Sequence, residues 1–410
     1  MKIKLPKNVR FIIDEIYNNG YEAFIVGGCV RDSILGLEPN DYDITTSAKP
    51  NDILNIFKDF KIINSGIKHG TVGVIIDEEV YEITTYRLDG EYENNRRPKS
   101  VSFTSNLIED LKRRDFTINA IAYNDRVGII DKFGGLKDIK NKNIKTVGNP
   151  DNRFNEDGLR LIRAIRFSSK LNFKIEDGTL NSIYKNVDVV KNISKERITD
   201  EFSKIILGNK PQDIILLYKT GIFKAIGIKS NISDNEYKTL EKSLRILKCI
   251  PNNLVDKLGM LEFIIKYKKY NTESIKDLLV YSNKVKSDSN FITKCMIDIL
   301  NMKDNIQIKL KLNEVGIEIF KKSLHISKIY FENCDLENKN ILIINEIINR
   351  TLQIEKNGEC YRISDLNING KDIKSLGYKG KEIGEKLNDL LYKVIVNPEL
   401  NKNEVLKKLI

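Results

Sequence analysis

Two short stretches near the amino terminus contain the residue types and spacings with the clearest chemical potential. Gly27 and Gly28 directly follow an apolar run, and paired glycines let a strand turn sharply and leave backbone N–H groups free to face an anion. Asp41 and Asp43 are two residues apart, so on an extended strand both carboxylates point to the same face. Neighbouring carboxylates repel unless a cation lies between them, and hard oxygen ligands of this kind suit Mg²⁺. A phosphate cradle beside a metal site predicts phosphoryl or nucleotidyl transfer; the alternative is a surface turn followed by a solvated strand.

The elements that must position these residues alternate between helix and strand patterns over residues 1–147. The pattern predicts a long loop from Leu88 to Ser105, because this stretch has little apolar content. Beyond a boundary at 148–152 the spacing of apolar residues becomes helical, and 208–410 is predicted to be almost wholly helical. The predicted elements of the head are a helix over 7–18, a strand over 22–27, a helix over 30–36, the strand that carries Asp41, and strands over 72–76 and 80–86 joined by a turn at 77–79.

Length, charge and cysteine content narrow the class of protein. At 410 residues the chain predicts two to four domains. It contains no run of 18 apolar residues and no signal-peptide pattern, and its five cysteines are scattered, so we expect a cytoplasmic protein. The net charge of +11 indicates a polyanionic partner such as nucleic acid, although a lysine-rich composition is an alternative explanation. Six Lys and Arg against two acids over 153–174 concentrate part of that charge.

Five motifs give the sequence a resemblance to a known family. The first resembles the signature of the DNA polymerase β superfamily of nucleotidyltransferases, and in its fuller form that of class II tRNA nucleotidyltransferases (CCA-adding enzymes) and bacterial poly(A) polymerases. Four further stretches follow in the family's order, the last of them a looser match. The motifs are Gly27–Asp32 with Asp41–Ile44, Arg113–Ala120, Phe133–Asp138, Glu156–Phe167 and Glu196–Phe202.

The resemblance implies an α+β fold with a catalytic head followed by helical domains. The implied division is a nucleotidyltransferase head over 1–147, a helical neck for nucleotide selection over 148–207, a helical body over 208–310, and a helical tail that binds tRNA over 311–410. The second half of the chain resembles the family only weakly, through Asn369–Ile373 and the residues after it.

The resemblance also implies roles for residues of the first motif. Asp41 and Asp43 would be catalytic and would hold Mg²⁺, which bridges the incoming triphosphate and activates an RNA 3′-hydroxyl. Glu82 is a candidate third carboxylate, or else a solvated strand residue. Gly28 and Arg31 would meet phosphate oxygens, the glycine through its backbone N–H and the arginine through its fork.

The resemblance implies that residues of the second motif contact the triphosphate and the ribose of the nucleotide. Arg114 would bind the triphosphate or the ribose. Asp115 and Asn119 would read the ribose hydroxyls, and the alternative is that either residue caps a helix.

The fourth motif is implied to select the base. On a helix Asp157 and Arg160 would share a face one turn apart, with Arg163 a turn later. Cytosine and adenine both present an exocyclic amine beside a ring-nitrogen acceptor, so a carboxylate and a guanidinium complement them and clash with guanine and uracil. The alternative is an ordinary surface ion pair. Arg163 and Arg166 are also predicted to bind nucleotide.

The function implied is stepwise addition of C, C and A to the 3′ end of tRNA from CTP and ATP. An A-adding enzyme and a poly(A) polymerase remain alternatives, whereas the Leu88–Ser105 segment disfavours a CC-adding enzyme, since those lack this loop in the family. The alternative of a different class is an inactive RNA-binding protein on the same fold, which the intact Asp41 and Asp43 disfavour. The sequence leaves open whether the protein is a monomer or a homodimer.

Overall fold

The chain forms two compact units, Met1–Lys229 and Ser230–Ile410. The structure is a computed structural model, and it describes residues 2–410 except Glu91, Asn94, Arg96, Lys99 and 335–338. The finer division into head, neck, body and tail remains a prediction.

The described strands all lie in the first unit, as predicted for an α+β fold with a mixed head. They are β1 (Ala23–Val26), β2 (Asp43–Thr46), β3 (Lys61–Ile63), β4 (Thr71–Ile76), β5 (Glu79–Thr85), β6 (Arg87–Asp89), β7 (Tyr92–Glu93), β8 (Arg97–Pro98), β9 (Val101–Phe103), β10 (Ile121–Asn124), β11 (Gly128–Asp131), β12 (Asn143–Ile144) and β13 (Lys174–Ile175).

The helices of the first unit lie between these strands and then follow them. They are α1 (Lys7–Asn18), α2 (Gly28–Ile34), α3 (Pro50–Ile56), α4 (Leu107–Lys112), α5 (Gly135–Lys140), α6 (Pro150–Glu156), α7 (Leu159–Leu171), α8 (Asp177–Lys185), α9 (Lys195–Ile206), α10 (Ile214–Lys219) and α11 (Ile222–Ala225). The predicted helices at 7–18 and 30–36 are thereby confirmed, the second beginning two residues early.

A seven-stranded mixed sheet is the framework of the first unit. Its strand order is β11-β10-β1-β2-β5-β4-β3, so β2, which begins at Asp43, lies in the middle. Strand β2 pairs antiparallel with β1 and parallel with β5, where Ile44 is opposite Ile83. Residues of β1, β5–β6 and β10 pack with Leu107 and Leu111 of α4 in one apolar cluster. The cluster fixes α4 against the strands beside Asp43.

The prediction of a loop over Leu88–Ser105 is wrong in part. Strand β6 pairs antiparallel with β9, and β7 pairs with β8. These strands are two or three residues long, too short for alternation of apolar residues to show in the sequence. The segment is also attached to the helices, because Asn95 O accepts from the N–H of Gly158 at 3.0 Å and Asn95 Oδ1 accepts from Asn192 Nδ2 at 2.9 Å. The predicted loop includes Glu91, Asn94, Arg96 and Lys99, which lie outside the described residues.

The second unit is built of helices in its described residues, as predicted, with one isolated bridge between Ser230 and Thr272. Its helices are α12 (Asp234–Leu244), α13 (Leu254–Tyr267), α14 (Ile275–Leu278), α15 (Asn283–Ile299), α16 (Asn305–Val315), α17 (Ile317–Cys334), α18 (Lys339–Lys356), α19 (Gly370–Ser375), α20 (Lys381–Val396) and α21 (Asn403–Lys408). Among the described helices, none is both long enough and apolar enough to cross a bilayer.

Candidate active site

The two predicted metal carboxylates lie where β2 begins. Asp43 is the first residue of the strand and Asp41 lies two residues before it, and both side chains are exposed. Partial loss of hydration raises the pKa of Asp43; Arg114 acts in the opposite direction, and Asp41 and Glu82 raise it further. The site is therefore a cluster of mutually repelling carboxylates with one guanidinium nearby, an environment that favours a bound cation.

The parallel pairing of β2 and β5 explains why Glu82 belongs to this cluster. Because Ile44 is opposite Ile83, the residues that precede them, Asp43 and Glu82, lie side by side on the same face. Within the described part of the chain, no group of three or more His, Cys, Asp or Glu is arranged to hold a metal ion. Mg²⁺ commonly uses one or two carboxylates and completes its shell with water and phosphate oxygens, so Asp41 and Asp43 fit it. The role of Glu82 as a third ligand stays a prediction.

The glycine turn brings the backbone against this cluster. Gly27 has φ of 78°, a conformation that strongly favours glycine. A Cβ at Gly27 would lie 3.2 Å from Arg114 Nη1 and 3.7 Å from Asp43 Oδ2. Gly28, the residue predicted to contact phosphate, is the first residue of α2 and has no such constraint, since a Cβ there would lie 3.6 Å from Arg31 Nη2. The structure thus adds Gly27 to the site. In the sequence, Gly27 could have been recognised because it directly precedes Gly28.

Arg31 is buried, with its donors engaged inside the protein. Its Nε and Nη2 lie 2.8 Å and 2.7 Å from Asp32 Oδ1, and its Nη1 donates to Asn119 Oδ1 at 2.6 Å. Its guanidinium also lies 5.2 Å from the ring centre of Phe167. Arg31 therefore joins the first motif to the second and fourth, and its contact with phosphate stays a prediction.

Asp115 and Asn119 continue this chain of polar contacts. Asn119 Nδ2 donates to Asp115 Oδ1 at 3.0 Å, and Asp115 Oδ2 accepts from Arg163 Nε at 2.9 Å and also from Arg163 Nη2. Burial opposes ionisation of Asp115, but Arg163 and Asn119 outweigh it and hold its pKa well below the usual range. Neither residue caps a helix through its side chain. Both are links between motifs, and Asp115 also lines the cavity described below.

Arg114 is held by a carboxylate that the sequence analysis missed. Asp110, on α4, is fully buried, and its Oδ2 lies 3.4 Å from Arg114 Nη2. Its Oδ1 accepts from Arg113 Nε and Nη2 at 3.0 Å and 2.8 Å. Burial works against ionisation, and the two arginines outweigh it and lower the Asp110 pKa. In the sequence, Asp110 comes three residues before Arg113 and four before Arg114. Residues at these spacings lie close together on a helix, so the contact could have been predicted.

Asp157 and Arg160 do not share one helix, contrary to the prediction. Asp157 has extended backbone (φ −135°, ψ 105°) between α6 and α7, and α7 begins at Leu159. Gly158, between α6 and α7, packs directly against the backbone of Val189. A Cβ at Gly158 would lie only 2.9 Å from the carbonyl oxygen of Val189. This packing is long-range, so the local spacing of the motif did not reveal it.

Each of these two residues has its own partners. Asp157 Oδ1 accepts from the N–H of Leu159 at 3.1 Å, and its Oδ2 lies 3.1 Å from Arg197 Nη2. Arg160 is buried; its Nη1 donates to Glu156 Oε2 at 2.5 Å and to the carbonyl of Arg153 at 3.0 Å. An ordinary surface ion pair between Asp157 and Arg160 is therefore not what the structure contains.

Asp157 and Arg160 nevertheless face the same cavity, which we call the selection cavity. Its volume is about 250 Å³, and five of its lining residues are arginines. Arg166 is not among the lining residues: it pairs with Glu201 at 2.6 Å, and its guanidinium lies 3.9 Å from the ring centre of Phe167. The residues that line the selection cavity are Arg113, Arg114, Asp115, Asp157, Leu159, Arg160, Arg163 and Arg197.

The third motif supports the second and makes no contact with the selection cavity. The Asp131 carboxylate accepts from the N–H groups of Phe133, Gly135 and Leu136 at 3.3, 2.9 and 2.9 Å. A Cβ at Gly135 would lie 2.3 Å from the carbonyl oxygen of Thr117, so only glycine fits there. Gly135 therefore allows α5 to pack closely against the turn that carries Asn119.

Comparisons with known proteins show the family to which the chain is similar. Residues 23–145 match the family described as Poly A polymerase head domain, and residues 172–227 match the one described as the probable RNA and SrmB-binding site of polymerase A. The CCA-adding enzyme of Ligilactobacillus salivarius is 37% identical over 400 residues, which cover 96% of this chain and 93% of that protein. The CCA-adding enzyme of Staphylococcus saprophyticus is 32% identical over 413 residues, 100% of this chain and 98% of that protein.

Solved structures extend the likeness to three dimensions. The crystal structure of the Bacillus stearothermophilus CCA-adding enzyme in complex with CTP has a TM-score of 0.75 and 30% identity, and the match covers 98% of this chain and 95% of that one. The Thermotoga maritima CCA-adding enzyme complexed with tRNA has a TM-score of 0.66 at 20% identity, covers 100% and 99% of the two chains, and shows the fold alone. With its motifs, its fold and relatives that match over nearly their whole length, this chain belongs to the family of CCA-adding enzymes.

Proposed function

We propose that the protein adds C, C and A stepwise to the 3′ end of tRNA from CTP and ATP, by Mg²⁺-dependent nucleotidyl transfer with a base-selecting site made of protein. The observation that carries the proposal is the position of Arg114. It lies against Asp43 and Gly27 on one side, and on the other it lines the selection cavity with Asp157 and Arg160. A nucleotide bound across Arg114 would place its phosphates at the carboxylates and its base in the cavity.

The carboxylates and the arginines divide the work on the triphosphate. Asp41 and Asp43 would hold Mg²⁺, which when bound neutralises the triphosphate charge and makes the RNA 3′-hydroxyl a better nucleophile. Arg114 directs its guanidinium toward the same place and contributes a fixed positive charge for the phosphates. Asp110 and the Gly27 turn keep Arg114 in position, so little reorganisation is needed when the triphosphate binds.

Arg160 and Asp157 retain the hydrogen-bonding capacity that base selection requires. A guanidinium has five N–H donors, and the protein uses two on Arg160 Nη1 and one on Nη2, which donates to the carbonyl of Arg113 at 3.1 Å. Among the contacts with described residues, the Nε–H and the second Nη2–H of Arg160 are left for a ring nitrogen. Asp157 has about four acceptor positions and uses two, so it can accept from an exocyclic amine.

This donor and acceptor pair discriminates between bases. Cytosine and adenine complement it, whereas uracil and guanine present a carbonyl to the carboxylate and an N–H to the guanidinium. Because the cavity is partly desolvated, these mismatched groups would lose their bonds to water without replacement. One site therefore accepts two of the four nucleotides. A relative that is 30% identical to this chain was solved in complex with CTP, which supports CTP as one of the nucleotides used.

The partner and the division of the chain form part of the proposal. The net charge of +11 suits a polyanion such as tRNA. Residues 1–147 would act as the catalytic head and 148–207 as the neck that selects the nucleotide, with 208–310 and 311–410 as the body and tail that hold tRNA. We also propose a cytoplasmic location, in keeping with cysteines that are few and scattered along the chain.

Product sequencing tests the proposal. The protein is incubated with tRNA that lacks its last three nucleotides, and separately with tRNA that ends in CC, together with CTP, ATP or both. CTP alone should yield two added cytidines, and both nucleotides together should yield one full CCA. Addition of A only to tRNA ending in CC would show an A-adding enzyme, long runs of A would show a poly(A) polymerase, and no addition would favour an inactive RNA-binding protein. The variant Asp41→Asn serves as the control for contaminating activity.

A further inference from the structure

Helix α9 carries a side chain that reaches into the selection cavity from outside the fourth motif. Arg197 Nη2 lies 3.1 Å from Asp157 Oδ2, and Arg197 is one of the residues that line the cavity. One turn later Glu201 pairs with Arg166 at 2.6 Å and with Arg163 at 3.9 Å. The fifth motif, the loosest match in the sequence, thus contacts the residues expected to read the nucleotide.

We propose that Arg197 is a positioning residue for nucleotide selection: it fixes the Asp157 carboxylate in the orientation in which that carboxylate reads the base. This inference rests on the proposed function. Asp157 lies outside any helix, and among the described residues two hydrogen bonds hold its side chain, one from the N–H of Leu159 and one from Arg197. Without Arg197 a single bond at Oδ1 would remain, and the carboxylate could rotate about it. An arginine at this point acts through Asp157 and need not touch the base.

A stabilising role for the ion pair is the alternative, and the packing of α9 argues against it. Ile198, Phe202, Ile205 and Ile206 anchor the helix in the core. The helix therefore has an apolar face that keeps it in place without Arg197. The side chains of Arg197 and Asp157 are 30% and 18% exposed, and pairs this accessible to water contribute little to stability. What the pair does fix is the direction of one carboxylate toward the cavity.

The same helix offers a matched control. Lys204 pairs with Asp200 at 2.5 Å, and their side chains are 50% and 60% exposed. Neither residue lines the selection cavity. Loss of this pair removes a cation from α9 without affecting Asp157, so Lys204→Met should leave nucleotide selection unchanged.

The test measures kcat/KM for CTP and for UTP on tRNA that lacks its last three nucleotides. Arg197→Met keeps an unbranched apolar stem but removes the donors, and it should lower the CTP to UTP ratio by about tenfold, as the loss of one charge-assisted hydrogen bond would. Arg197→Lys retains one charged donor and should restore part of the ratio. An unchanged ratio in Arg197→Met, or a uniform fall in rate for both nucleotides with a lower melting temperature, would overturn the inference and leave a structural role.

A double-mutant cycle separates this inference from the proposed function. If Arg197 acts through Asp157, Arg197→Met should have no further effect on the ratio once Asp157→Ala is present. Additive effects would show that Arg197 acts elsewhere and would overturn the inference alone. A wild-type ratio in Asp157→Ala would instead contradict base selection by Asp157, and with it both proposals.

Discussion

The two units of the molecule carry similar net charge but build it from different residues. Residues 1–229 hold 37 Lys and Arg against 32 Asp and Glu, and residues 230–410 hold 31 against 25. All the arginines of the chain except Arg245, Arg350 and Arg362 lie in the first unit, whereas lysines are spread over both. Total charge therefore does not distinguish the units, but the type of cation does.

The arginines of the first unit bind carboxylates in ways that lysine cannot reproduce. Arg163 places two N–H groups on Asp115, and Arg113 places two on Asp110. A guanidinium fork matches a carboxylate in this planar arrangement, while an ammonium is a point charge. In the second unit the pairs are mostly single contacts on helix surfaces, such as Lys321 with Glu355 at 2.7 Å. Arginine thus marks the part of the chain where the direction of a charge matters.

The largest effect is expected in the first unit, from removal of the charge on Asp41 or Asp43, which form no ion pair with an arginine among the described residues. Asp41→Asn or Asp43→Asn should lower the rate of nucleotide addition by at least ~10³, in line with loss of a principal electrostatic stabiliser. Folding should survive, because these carboxylates repel one another and partial loss of hydration raises the pKa of Asp43. Thermal unfolding and single-turnover addition provide the measurements.

The control for this experiment is Asp14→Asn, an exposed carboxylate of the same unit that pairs with Arg126 at 3.0 Å. It should retain full activity. Addition at nearly the wild-type rate by either Asp41→Asn or Asp43→Asn would rule out their role as metal ligands.

An exchange of cation type tests the contrast between the units directly. Arg163→Lys keeps the charge but loses the two-point contact with Asp115, so kcat/KM should fall by about tenfold. Lys321→Arg, a change in the reverse direction at a half-exposed pair of the second unit, should alter kcat/KM by less than about twofold, since exposed pairs contribute little. Equal effects of the two exchanges would remove the distinction.

The pH dependence of stability gives a smaller effect. The pKa of Asp115 is lowered in the folded protein, chiefly by Arg163 against the effect of burial. A depressed carboxyl pKa stabilises the fold at pH above the unfolded value, about 3.9, and this stabilisation is lost as the pH falls below it. Asp115→Asn should therefore unfold more easily at pH 7, by roughly 1.5–3 kcal/mol, and should lose less stability on acidification.

Urea unfolding at pH 7 and at pH 3 measures both parts of that expectation. Asp188→Asn, which removes an exposed carboxylate paired with Lys191 at 2.5 Å, is the control and should behave as wild type. If the stability of Asp115→Asn changed with pH as steeply as that of the wild type, the lowered pKa of Asp115 would not be the source of this pH dependence.

Local patterns in the sequence were sufficient for much of the fold and part of the site. The strand before the glycine pair, the hairpin of β4 and β5, and the helical second unit follow from runs and periodicities within a few residues. Asp41 and Asp43 could be identified because their spacing alone places them together at one end of a strand.

The partners of these residues could not be identified in the same way. Arg197 and Glu201 join the site only through tertiary packing, and the spacing of their sequence neighbours does not indicate their partners. Asp110 differs, because its spacing before Arg113 and Arg114 indicates the contact once the segment is taken as helical. The break at Gly158 depends on the carbonyl of Val189, 31 positions away in the chain. Sequence spacing therefore revealed which residues carry chemistry, while the structure was needed to show what orients them.

Base selection by Asp157 is the central claim, and one measurement addresses it most directly: kcat/KM for CTP, ATP, UTP and GTP on tRNA that ends before its first C, in wild type and Asp157→Ala. Each mismatched polar contact is worth roughly 1–3 kcal/mol, so the variant should discriminate against UTP and GTP less well by about one to two orders of magnitude. Asp177→Asn, an exposed carboxylate paired with Lys174, is the control and should discriminate as wild type does. Wild-type discrimination in Asp157→Ala would contradict the account.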